Sequence, residues 1–161
     1  MLKKLAFATM LLISIASCSS KKQAFDYSEN FVKKENSLLN DITSTEDKVA
    51  RYITAEQYDS IAVAGERMEQ IVETKIQEIK KEPAPDVKEA ANFKEACIKY
   101  FGFIKSMYTS YKEFGQAKEG EERDKAKAAV IDLANSKQTA MIAMQTAQKK
   151  FADANGFRLE K

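Results

Sequence analysis

The chain of 161 residues carries 26 basic and 24 acidic side chains, two cysteines and no histidine. Without histidine there is no His-ligated haem, no Glu-x-x-His di-iron site and no histidine general base, and two thiols fall short of a cysteine-rich zinc or iron–sulfur site. Only two prolines and five glycines interrupt a sequence rich in Ala, Glu, Lys and Gln, so composition favours helices.

At the N-terminus, Lys3 and Lys4 precede an apolar run from Leu5 to Ala16, which ends in small residues and a cysteine. That order of basic, apolar and small residues is the plan of a secretory signal peptide. A membrane-crossing helix needs about 20 apolar residues, so the run is too short to remain as an anchor. Its end, Ile15-Ala16-Ser17-Cys18, resembles the lipobox of bacterial lipoproteins. The resemblance implies cleavage between Ser17 and Cys18, a diacylglyceryl group on the Cys18 thiol, and acylation of the new amine by a chain such as palmitate. Ser19, rather than Asp, follows the cysteine, which in that family implies an outer-membrane address. Several acyl chains hold a protein stably where one holds it marginally. The expected organisation is a signal peptide at 1–17, lipidated cysteine and tether at 18–25, a helical domain at 26–157 and a C-terminal tail at 158–161. Extended, residues 18–24 (CSSKKQA) would span roughly 20 Å.

Cleavage would leave 144 residues, enough for one domain with a sizeable core. It would also remove Lys3 and Lys4, leaving 24 basic side chains against 24 acidic ones and no basic footprint for nucleic acid. With Cys18 acylated, Cys97 has no disulfide partner in the chain.

From about Asp26 to Ile53, the residues Phe31, Leu38, Ile42, Val49 and Tyr52 recur at three- and four-residue steps, one helical face. One helix is expected there, although Thr43 and Glu46 form a capping-box pattern that would split it. A second such pattern, Thr54 with Gln57, restarts the periodicity. The next stripe is Tyr58, Ile61, Ala62, Gly65, Met68, Val72, Ile76 and Ile79, closed by Pro83-Ala84-Pro85. The third helix is expected from about Pro85 to Lys118, with Pro85 in its first turn. Seven of the fifteen aromatic residues fall between Phe93 and Phe114, so this helix should be the best buried. Gly115 and Gly120 bracket the last connection. The fourth helix, about Glu121 to Ala154, opens on acidic residues that suit a helix N-terminus. Its stripe is Ala126, Val130, Leu133, Ala140, Met144, Ala147 and Phe151. Asn155-Gly156 supplies a left-handed stop, with Phe157 folding back. Four such helices with short connections predict an all-α, antiparallel up-down-up-down four-helix bundle. Ala62, Gly65, Ala140 and Ala147 would make room for the rings of the third helix.

Few residues offer chemistry. Glu66, Glu69 and Glu73 could present oxygens to a hard cation, but Lys75 and Lys80 beside them suit a solvated face. Lys137 falls on the inward stripe of the fourth helix, at a level expected near Thr45 and Gly65. It is either a snorkelling side chain or, with Thr45, the reader of a small anion at the bundle waist. Cys97 reads as a small buried hydrophobe. Ser19 and Lys22 make the one Ser-x-x-Lys, there is no phosphate-cradling glycine loop and no Gly-x-Ser-x-Gly elbow, and no metal or cofactor is implied.

The segment Ala147 to Phe157, with the aromatic third helix before it, is similar to a family of small uncharacterised helical surface lipoproteins of bacteria. That resemblance implies an envelope location and a helical fold, and transfers no catalytic residue. The expected function is a non-enzymatic, lipid-anchored interaction module with an envelope protein partner. An outer patch of Phe103, Phe114 and Ile131 would favour it. The alternative is a carrier of a small molecule or ion in the aromatic-lined interior.

Overall fold

The computed structural model describes residues 12–159, with side chains from Ser19 onward. The expected signal peptide therefore lies mostly outside the described residues, as do the side chains of Ser17 and Cys18. Among the described residues the chain forms four helices and no strand: α1 (Leu12–Thr54), α2 (Tyr58–Lys81), α3 (Ala90–Gln116) and α4 (Glu121–Asn155). Consecutive helices pack against each other and α4 returns to α1, the up-down-up-down four-helix bundle.

Three boundaries differ from expectation, each for a local reason. α1 passes Thr43–Glu46 as the one helix expected, but it also runs unbroken through residues 18–25. Lys22 pairs with Asp26 one turn on, and Ala24 is fully buried, so the stretch expected to be a tether is helix packed on the core. Thr54 does not cap α2. It is the last residue of α1, its hydroxyl donates to the Ala50 carbonyl at 3.0 Å, and the chain turns through Glu56 in the left-handed region (φ 55°). α3 starts at Ala90 rather than Pro85. Glu82, which precedes Pro83, is held extended (ψ 120°), and Asp86 to Glu89 make turns, with the Val87 N–H donating to the Pro85 carbonyl at 2.9 Å. Lys94 closes the connection by donating to the carbonyls of Lys80 (2.8 Å) and Glu82 (2.6 Å), a cation at the end of α2.

α2 and α3 form the tightest pair. A Cβ at Gly65 would lie 2.6 Å from the Lys112 amide nitrogen and 2.7 Å from the Tyr108 carbonyl oxygen. A Cβ at Gly115 would lie 2.5 Å from the Tyr58 carbonyl oxygen. The two glycines thus bring backbone against backbone. Gly65 makes room for the main chain of α3 rather than for its rings, and Gly115 lies buried inside α3 rather than in a connection.

α3 meets α4 and α1 through side chains instead. Phe93 stacks on Phe151 of α4 with centroids 4.8 Å apart, while Phe31 of α1 meets Phe93 and Phe101 edge-on at 5.7 and 5.5 Å. Such geometries add roughly 0.5–1.5 kcal/mol per pair beyond burial. α1 and α3 run in the same direction across the bundle, joined by Tyr100 donating to Glu35 at 2.8 Å and Tyr111 to Glu46 at 2.9 Å. α4 ends as expected: Gly156 is left-handed (φ 70°), the Phe157 N–H donates to the Ala152 carbonyl at 3.1 Å, and the Phe157 ring lies 5.7 Å from that of Phe151.

Candidate functional site

Because α2 is committed to α3, its opposite side leaves an open groove against α1, about 420 Å³ in volume. Small side chains on both walls, Ser44 and Thr45 of α1 with Ser60 and Ala64 of α2, keep the helices from filling it. Its charged lining is balanced, Asp41 and Asp59 against Lys48 and Arg67. A groove of this composition has polar groups for hydrogen bonding and no net field to select an anion.

Thr45 lines this groove and Lys137 does not. Gln148 donates to Ser28 at 3.1 Å, and this antiparallel register puts position 137 level with position 39 of α1. That is six residues, about 9 Å, from Thr45. Lys137 is exposed, because the stretch from Asp132 to Thr139 of α4 buries no residue and Leu133 alone is even half-covered. Leu38, Met68, Ile104 and Tyr108 already fill the core at this level.

The acidic run on α2 is spoken for by α3. Glu69 accepts from Lys112 and from the Thr109 hydroxyl at 2.9 Å, and Glu73 accepts from Lys105 at 2.8 Å and Gln77 at 2.5 Å. The Lys112 hydrogen bond holds the Glu69 carboxyl below the usual carboxylate range, and that of Lys105 does the same for Glu73. Glu66 is exposed. Among the described residues no three His, Cys, Asp or Glu side chains are grouped to hold a metal ion. The run fastens α2 to α3 beside the glycine seam.

In the interior, Cys97 is 2% exposed, and burial pushes its thiol well above the ordinary range. Burial likewise raises the phenols of Tyr27, Tyr100, Tyr108 and Tyr111, the last three helped by the nearby Glu35 or Glu46 carboxylate. The space left between Tyr27, Phe31, Phe93 and Cys97 is about 10 Å³. Water itself needs roughly that much, so the rings here are a packed core.

No protein-family model, curated protein or solved structure matches this chain.

Two further grooves lie at the ends of the bundle, and reasoning from stripes missed both. One, about 540 Å³, joins the α1–α2 turn to the end of α3 beside Arg123. The Arg123 guanidinium sits 3.7 Å over the Tyr58 ring and donates to the Ala117 carbonyl at 3.0 Å. The other, about 520 Å³, is bounded by Phe25, Val32, Gln145, Arg158 and Leu159 near the start of the described chain. Of the expected apolar patch, Phe114 is buried edge-on to Tyr58 at 5.7 Å and Phe103 is half-buried, while Ile131 is exposed. The signal for these end grooves was the clustering of turn residues, which gives a place but no shape.

Proposed function

We propose that the protein is a non-enzymatic lipoprotein of the bacterial outer membrane, anchored through acyl chains on Cys18 and presenting its helical bundle to an envelope protein partner. The observation that carries this reading is Ile15-Ala16-Ser17-Cys18 at the end of a basic and then apolar N-terminus. The packed rings around Phe93 support presentation rather than carriage, since a carrier needs a pocket of about 300–1,000 Å³ in its interior and the space there is about 10 Å³.

Intact mass spectrometry of protein gently extracted from its own membranes tests the proposal. The expected species begins at Cys18 and carries acyl chains. A chain that keeps residues 1–17, or one cleaved without lipid, overturns the anchor. A further defined mass that leaves on denaturation moves the reading to the carrier.

A further inference from the structure

α1 passes through the position of Cys18 without a break and continues into the core. At a rise of about 1.5 Å per residue, Lys21 lies roughly 5 Å and Phe25 roughly 10 Å from Cys18 along the helix axis. A headgroup layer is about 5–8 Å thick, so an acylated Cys18 sets these first turns in or against it.

Two other segments share that end. Lys34 donates to Glu82 at 2.7 Å, which ties the start of the α2–α3 connection to α1 about 24 Å in from Cys18, and the connection runs from there toward the end. Asn155 donates to the Lys88 carbonyl at 2.9 Å, and the rings of Phe25 and Phe157 meet edge-on at 5.8 Å, which together bring in the end of α4. Phe25 and Leu159 stay 39% and 38% exposed beside Arg158.

Charge at this end is lopsided once pairs are set aside. Lys22, Lys149 and Lys150 pair with Asp26, Asp153 and Glu89. Among the described residues, Lys21, Lys88 and Arg158 at this end have no carboxylate within 4.0 Å; the unpaired carboxylates here are Asp86 and, a turn further in, Glu29. The opposite end runs the other way, with Glu113, Glu119, Glu121, Glu122 and Asp124 around the α3–α4 connection against Lys118, Arg123 and Lys125. Exposed apolar side chains with unpaired cations at the same end are the chemistry of an anionic bilayer surface, where each cation is worth about fivefold in partitioning.

We propose that this end of the bundle is a membrane-seating face: Phe25 and Leu159 enter the interfacial layer of an anionic bilayer while the unpaired cations Lys21, Lys88 and Arg158 meet its phosphates. The inference rests on the acylation of Cys18 and adds an orientation to it. The bundle stands end-on rather than swinging on a tether, and the α1–α2 and α3–α4 connections are held about 55 Å from the bilayer.

The chain has no tryptophan, so a single one reports its own depth. Acylated full-length protein carrying Phe25→Trp, Leu159→Trp or Ile53→Trp is reconstituted into vesicles of phosphatidylcholine alone, or mixed with phosphatidylglycerol. Both contain a lipid with a nitroxide on its headgroup. Phe25→Trp and Leu159→Trp should each lose most of their emission in the mixed vesicles and much less in the neutral ones. Ile53→Trp, at the far end of α1, should keep its emission in both. Two reporters guard against one failing to fold, which circular dichroism checks. Protein that carries acyl mass and floats with the vesicles, yet is quenched at neither site or equally at Ile53→Trp, overturns the seating and leaves the anchor standing. Equal quenching in neutral vesicles overturns the role of the cations. An emission shift that grows with protein concentration without vesicles assigns the face to a second copy and overturns the proposal. Protein with neither acyl mass nor flotation removes the anchor and the seating together.

Discussion

Gly65→Ala would place a methyl group 2.6 and 2.7 Å from backbone atoms of α3, where ordinary contact is 3.4–4 Å. Neither atom belongs to a side chain that could swing away, so α2 and α3 must part locally by about 1 Å, a gap that forfeits roughly a quarter to a half of the dispersion attraction across the seam. Overpacking of this kind costs about 1–3 kcal/mol. Alanine also gains about 0.8–1 kcal/mol of helix propensity over glycine. With a rigid backbone wall on α3 the clash outweighs that gain, and the variant should be less stable, by up to about 2 kcal/mol. Gly102, in the same pair of helices, has nothing within 4 Å of its would-be Cβ, so Gly102→Ala keeps only the propensity gain. At about 2–4 °C per kcal/mol for a domain near this size, the two variants should melt on opposite sides of the parent. Thermal and urea unfolding followed by circular dichroism measures both. Combining Gly65→Ala with Gly115→Ala should cost less than the sum, because the first methyl already separates the helices the second would push apart. If Gly65→Ala melts at or above the parent, the seam is not close-packed and this account of it fails.

Stability should fall steeply in alkali and change little near neutrality. The four buried phenols have folded pKa values above the unfolded value of about 10, so as pH rises past 10 the unfolded chain sheds protons that the folded chain keeps. Each such group takes away up to about 1.4 kcal/mol per pH unit, and urea midpoints at about pH 8 and about pH 11 should show the loss, with a shallower fall in Tyr108→Phe. A flat profile through that window would contradict the burial of the phenols. In a Cys18→Ser chain, Cys97 should resist iodoacetamide until denaturant is added, because only the thiolate reacts and burial disfavours it; rapid modification of folded protein would show the thiol to be reachable. Lys137→Met should shift stability by no more than about 0.5 kcal/mol, as for an ordinary surface site, whereas a gain well beyond that would return Lys137 to the interior.

The four helices are legible because their apolar residues recur at the helical period and because burying them dominates folding. Phe31, Leu38, Val49 and Phe151 all lie where their spacing puts them. What escapes the sequence is set by contacts between distant residues. Ala24 sits in a polar run and reads as tether, but it is buried in one cluster with Ala152 and Phe157 from the other end of the chain. Gly115 reads as a helix terminator, and only the arrival of Ala62 against it makes it an interior residue. Lys137 fits the stripe of α4, yet α4 takes its register from a bond between Gln148 and Ser28, 120 positions apart, which no periodicity within one helix encodes. The candidate site was legible only in part for the same reason: Thr45 borders a groove, and its companions come from α2, not from α4.

The two tyrosine–glutamate bonds have a mechanical consequence. Tyr100 with Glu35 and Tyr111 with Glu46 span the same 65 positions, so they are rungs between two helices that run side by side in one direction. The rungs are eleven residues, about 16 Å, apart. A pull along α1 therefore loads both rungs, and the rings between them, in shear at the same moment instead of peeling them one by one. Under tension α1 should hold its place up to a threshold and then slip in a single event.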